Sequence, residues 1–157
     1  MDASQNGQAA GLPPLKYQNE IAALELSILC PDNFIQLSKE VEVYRVARNP
    51  VAQEDNFLPN VIYDRNNNLT FFDYTSANKD EARKCLRCGA SFFKTLQKAK
   101  NALEHFTKKN KDNAGYDCVA QGTLSESDGL VKTTDQSNHI TLYQFEGALL
   151  MEKFKIV

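Results

Sequence analysis

The sequence predicts an α+β domain, with a mostly antiparallel sheet and two or three helices. Three observations carry that reading. Turn signals divide the C-terminal stretch from Gly115 to Val157 into four strand-like segments, 116–124, 130–134, 139–145 and 148–157. Glu40 to Arg48 alternates as a half-buried strand does. Between these regions, apolar residues recur at helical spacing around Cys85 and Ala99. A chain of 157 residues suits one domain, 15–157, able to bury roughly 70% of its unfolded surface.

Taken in order, residues 1–14 have no periodicity and end in the stiff Pro13-Pro14 pair, so a disordered tail is expected. From Tyr17 to Cys30, Ile21, Leu24 and Ile28 fit a helix, while Leu24, Leu26 and Ile28 alternate; an extended segment near Leu26 is expected. On the 40–48 strand, Val41, Val43, Arg45 and Ala47 share one face. A guanidinium there needs a partner. It holds an anionic ligand, or it pairs with a structural carboxylate or reaches water. The 49–60 loop is long and polar, which makes it either a lid or a surface crossing, with Phe57 and Leu58 docked on the core. Residues 61–64 and 69–74 read as strands flanking a turn at Arg65-Asn66-Asn67-Asn68.

Asn78 and Glu81 have capping-box spacing ahead of a helix bearing Ala82, Cys85 and Leu86, and Gly89 ends it where positive φ is wanted. A second helix starts near Thr95, with Leu96, Ala99, Ala102, Leu103 and Phe106 on one side. In the C-terminal region Asp128-Gly129 suits a hairpin turn. Phe154 and Ile156 alternate with Lys153 and Lys155, as for a strand with one buried face.

Charge and cysteine usage narrow the function classes. Eighteen basic and twenty acidic side chains leave a formal charge of −2, with no basic patch for nucleic acid. The cluster Lys108-Lys109-Asn110-Lys111 complements a helix C-terminus. No signal peptide or membrane-spanning run is seen, so no membrane partner is expected. Cys30, Cys85, Cys88 and Cys118 are too few and scattered for a disulfide framework, which favours a reducing, cytoplasmic setting. Cys85-Leu86-Arg87-Cys88 supplies two thiols with no second pair for zinc, and it lies at the wrong end of a helix for redox chemistry. These are structural cysteines, and no metal site is expected. His105 is a helix boundary residue; His139 opens a strand, where a dyad with Cys118 requires the two strands to be neighbours.

No nucleophile elbow, phosphate loop or zinc-protease helix occurs. The expected role is therefore a binding or regulatory module that docks a partner protein without a cofactor. Phe71-Phe72-Asp73-Tyr74 offers aromatic contacts if that segment is a sheet edge. A second reading rests on element order. A strand carrying Tyr44-Arg45-Val46 precedes Ala90-Ser91-Phe92-Phe93, a helix with Ala99 and Ala102, and strands ending in Phe154-Lys155-Ile156-Val157. Over residues 41–157 this layout resembles ADP-ribosyltransferase-like domains. The resemblance implies that Arg45 and Ser91 contact NAD, and that a late residue, Glu146 before Gly147 or His139 at a strand entrance, carries the catalytic role. Ser91 stands before two phenylalanines, where the family commonly has Ser-Thr-Ser. The enzyme reading requires Arg45, Ser91 and His139 or Glu146 in one cleft; the module reading scatters them and leaves an apolar patch elsewhere.

Overall fold

A computed structural model describes residues 11–69, 72–74, 80–108, 115–134 and 138–157. Its strands are β1 (Ile35–Gln36), β2 (Val41–Ala47), β3 (Ala90–Phe93), β4 (Cys118–Leu124), β5 (Gly129–Thr134), β6 (His139–Gln144) and β7 (Lys155–Ile156). They form one sheet in the order β1-β5-β6-β3-β2-β4-β7, with every pairing antiparallel. The helices among the described residues are α1 (Gln18–Ala23), α2 (Asn60–Asn66), α3 (Glu81–Leu86) and α4 (Leu96–Lys108). The α+β class and the antiparallel sheet are as the sequence predicts.

The strand order is not the order of the chain. β5 and β6 form a hairpin, but β4 and β5 are separated by β6, β3 and β2. The Ser125–Asp128 turn therefore starts a crossing, not a hairpin. Asp128 organises it, accepting hydrogen bonds from Ser125 N at 2.8 Å and Lys153 Nζ at 2.6 Å. All seven residues of β2 pair with β4, whereas β2 meets β3 through the single register pair Tyr44–Phe93. Two ladders, β1-β5-β6-β3 and β2-β4-β7, are thus joined at one point.

Alternation along the strands builds a core on each face. Val43, Phe92, Ala120, Val131 and Leu142 pack on one side with Phe57, Leu150 and Phe154. Their chain neighbours Leu130 and Tyr143 point the opposite way, into a cluster with Leu15, Ile21, Cys30, Cys85 and Cys88. In α4, Ala99 is fully buried and Leu96, Ala102, Leu103 and Phe106 are half-buried, while the lysines between them are exposed. That is the expected stripe. His105 is exposed, and Lys108 pairs with Glu104 at 2.6 Å.

Several local expectations are corrected. Residues 61–64 belong to helix α2, not a strand, and Asn68 beyond it takes φ +54°. Gln18–Ala23 is helical, and Leu26 lies in the loop that follows rather than in a strand. Asn78 lies outside the described residues; Asp80 caps α3, accepting from Ala82 N at 2.9 Å. Pro14 is not loose, since its carbonyl accepts from Glu146 N at 2.8 Å. The 148–157 segment holds a 3₁₀ turn, Leu150–Glu152, and only a two-residue strand. Phe154 is buried because its ring lies where a Cβ on Gly122 would be, 2.7 Å away, while Ile156 on the sheet edge is 48% exposed.

Candidate functional site

Arg45 is the first predicted site residue to locate. It is buried, yet it faces no open cleft. Its Nε donates to the Asn56 carbonyl, Nη1 to the Ser91 carbonyl, and Nη2 to the Leu58 carbonyl at 3.5 Å. Phe92 lies under the guanidinium, 5.3 Å from ring centroid to Cζ. Its partners are neither a structural carboxylate nor bulk water but the backbone carbonyls of the 49–60 loop and of Ser91. Burial pulls its pKa down to about 10, so carbonyl dipoles hold a charge that solvent no longer stabilises.

The same loop is fixed by Asn56. Its Nδ2 donates to the carbonyls of Arg48 (2.8 Å), Pro50 (3.1 Å) and Val51 (3.1 Å), and its Oδ1 accepts from Arg48 N at 2.9 Å. Gln144 Nε2 donates to the Phe57 carbonyl at 2.6 Å. Phe57 and Leu58 are buried, as the sequence predicts. A segment bonded at this density is a fixed cover, not a lid.

Ser91 and His139 do come together. Ser91 pairs with Thr141 and Phe93 with His139 across the β3–β6 ladder, so Ser91, His139 and Thr141 share a face. With Asn60 from α2 and Arg83, Leu86 and Arg87 from the α3 region they line a pocket of about 180 Å³. Arg87 is positioned by Asp64, at 2.8 Å, and by the Tyr74 hydroxyl, which accepts from its Nε at 2.8 Å and itself donates to Asp64 at 2.7 Å. Burial opposes the charge on Arg87, but the bonds to Asp64 and Tyr74 outweigh it and leave its pKa raised. Val61 N donates to the Arg87 carbonyl at 2.9 Å, tying α2 to the end of α3.

Phe72 sits behind both arginines, 4.6 Å from Arg87 Cζ and 5.6 Å from Arg83 Cζ. It is buried and packs on Tyr74, so these aromatics support the pocket instead of forming an exposed edge. Phe71 lies outside the described residues. Gly89 makes a close approach to β6, with ordinary negative φ. A Cβ there would stand 2.4 Å from Thr141 Cγ2. His139 meets the Phe93 ring edge-on at 5.6 Å. Burial, and after it the charge of Arg45, pushes its pKa below the usual 6.5.

Glu146 does not join this group. It is exposed and lies seven residues beyond His139, about 20 Å of extended chain away. A Cys118–His139 dyad also fails, because β3 and β2 stand between β6 and β4. Burial, then Asp117, pushes the Cys118 thiol up to about 11, which suppresses thiolate.

The cysteines depart most from expectation. Cys30 and Cys85 are joined in a disulfide across a separation of 55 residues, and Cys88 and Cys118 are free thiols. Cys88 is buried, donates to the Lys84 carbonyl at 3.4 Å, and has its thiol pushed up to about 12 by burial. Among the described residues no group of three His, Cys, Asp or Glu side chains is gathered as a metal site would need.

Arg83, Arg87, Asn60 and Thr141 are site residues that the sequence reading passes over. Arg83 and Arg87 carry a usable signal, since i,i+4 spacing places two cations on one helix face. A second cavity, about 210 Å³, is lined by Phe57, Leu150 and Met151 among others. Lys16 and Glu54 at that cavity pair with each other at 3.7 Å, so its charges cancel. Among the described residues no helix is long and apolar enough to cross a membrane. No protein-family model, curated protein or solved structure matches the chain.

Proposed function

We propose that the chain is a binding module that docks an anionic group, a phosphate or carboxylate of a partner protein, in the pocket between β3, β6, α2 and α3. One observation carries this reading. Arg83 and Arg87 line the pocket with the donors Ser91, Thr141 and Asn60, and no carboxylate lies among its described lining residues. Asp64 offsets Arg87, but Arg83 is exposed. Arginine suits such a ligand because its fork matches two carboxylate or phosphate oxygens. The volume of about 180 Å³ lies below the roughly 300–1,000 Å³ of pockets that enclose drug-sized ligands, so one small group fits and a whole dinucleotide does not. A formal charge of −2 disfavours nucleic acid as the partner. The disulfide supports work in an oxidising compartment over the cytoplasm that cysteine spacing suggests.

A second reading, an ADP-ribosyltransferase-like domain binding NAD, is favoured by one observation. β6, β3 and β2 are neighbours in that order, so His139, Ser91 and Arg45 fall on adjacent strands. Against it stand the commitment of Arg45 to backbone carbonyls and the distance of Glu146.

Amide NMR titrations of the purified chain with inorganic phosphate and with NAD separate the two. The module reading expects saturable shifts at Arg83, Arg87, Ser91 and His139 with phosphate, and no tighter response to NAD. Shifts with NAD alone, spreading to Arg45 and accompanied by released nicotinamide, would install the transferase reading in its place.

A further inference from the structure

The pocket's two arginines sit on α3 and at its C-terminal cap. α3 has six residues, far short of a helix stable in isolation. Its buried residues are Lys84 and Cys85. The apolar group that anchors it in the core is thus the cysteine bonded to Cys30. The same chain segment grips the start of α3, where Ser27 N and Oγ donate to Glu81 Oε2 at 3.0 and 2.6 Å. Those two bonds are exposed and contribute little in water. At its far end α3 is held by the Tyr143 hydroxyl, which donates to the Cys85 carbonyl at 3.1 Å, and by the contacts of Arg87 to Asp64 and Val61.

We propose that the Cys30–Cys85 disulfide gates the pocket: oxidised, it fixes α3 and Arg83 against the β3–β6 ladder, and reduced, it releases them and anion affinity falls. This inference rests on the anion-binding reading of the same pocket. The reductant is a dithiol. One of its thiolates attacks a sulfur of the bond and forms a mixed disulfide; its second thiolate then displaces the protein sulfur. Two electrons and two protons pass to Cys30 and Cys85, and the reductant leaves as a cyclic disulfide. Cys88 does not perform the first step, since its thiol is buried and bonded to the Lys84 carbonyl. Both bridged cysteines are buried as well, so attack needs a local opening of α3. Arg87 keeps its bonds to Asp64 and Tyr74 after reduction, so the loss centres on Arg83.

The test uses the full chain in three forms: oxidised, reduced with dithiothreitol, and C30S/C85S. Alkylation and mass measurement define the states, with the two free thiols Cys88 and Cys118 in the oxidised chain and both bridged cysteines added on reduction. Amide hydrogen exchange across residues 81–86 is read without any ligand, and inorganic phosphate affinity is read by titration. Reduction and the double variant are each expected to weaken phosphate binding by on the order of 10-fold and to speed exchange more in α3 than in β3 and β6, whose exchange follows global stability. Unchanged affinity and exchange on reduction, with phosphate still bound, sink the gate alone. Exchange that accelerates as much in β3 and β6 as in α3 also sinks it, because the bond would then hold only the whole fold. If oxidised wild type does not bind phosphate, the anion reading fails and the gate with it, and the exchange result still shows whether the bond tethers α3.

Discussion

The two faces of the sheet cover themselves by opposite means. Over one face, the 49–60 loop is stitched down by the side chains of Arg45, Asn56 and Gln144 onto backbone carbonyls. Over the other, α3 is held by a covalent bond and one ion-paired arginine. Hydrogen bonds to main-chain oxygens commit the Arg45 and Asn56 side chains to holding backbone in place of a ligand. A covalent anchor uses no donors, and the arginines beside it remain lined up along a pocket. The difference teaches that a buried charge on an apolar strand face is weak evidence for a ligand site when a long polar loop lies nearby in sequence. Such a loop carries many carbonyls in need of donors.

The comparison breaks most forcefully at Arg45. Arg45→Met strands three carbonyls, and the loss of charge-assisted bonds predicts about 5 kcal/mol of destabilisation in urea melts. A loss under about 1 kcal/mol would mean that the loop is not anchored by this residue. On the opposite face, opening the loop closed by Cys30 and Cys85 is expected to cost about 4 kcal/mol by chain entropy, read as a lower urea midpoint for C30S/C85S. Gly89→Ala should cost about 2 kcal/mol by overpacking against Thr141, with NMR shifts concentrated at Ser91 and Thr141.

Smaller effects sharpen the contrast. Arg83→Gln should change stability by less than about 0.5 kcal/mol, as for an exposed residue, while weakening phosphate binding several-fold. An Arg83 substitution that destabilises without touching affinity would assign it to packing. The pH response is the mildest. His139 has a folded pKa below 6.5, so between that value and 6.5 the unfolded chain binds the extra proton. Its contribution to stability is complete above pH 6.5 and is lost as pH falls through the lower folded pKa. His139→Gln should flatten that slope. A bound anion favours the protonated imidazole, so affinity for sulfate, whose charge is constant across this range, should rise as pH falls.

Much of the architecture is legible in the residues because period is a local property. β2 and α4 follow from alternation and the 3.6-residue stripe, and β4, β5 and β6 from the turn signals that bound them. Strand order is not local: Asp128-Gly129 marks a change of direction, but nothing in it says which strand becomes the neighbour. The short α2 fails for a related reason, since Val61, Ile62 and Tyr63 suit either state until Asn60 and the α3 terminus fix them. For the site, the face of Arg45 is readable and its partners are not, because main-chain carbonyls leave no mark in a sequence. The Cys30–Cys85 pairing is equally silent, being a choice among four cysteines made by the fold.

The order of the strands bears on how the chain emerges from a ribosome. β3 can meet β2 as soon as it is made, but its other neighbour, β6, begins at His139. The roughly fifty residues between Cys88 and His139 take on the order of 3–10 s to synthesise. During that interval Cys30, Cys85 and Cys88 coexist without Tyr143 to bury them, and once Cys118 is made Cys85 has three candidate partners. A disulfide closed before β6 is made would lack the packing that favours Cys30, and a wrong pairing would have to be undone by thiol–disulfide exchange.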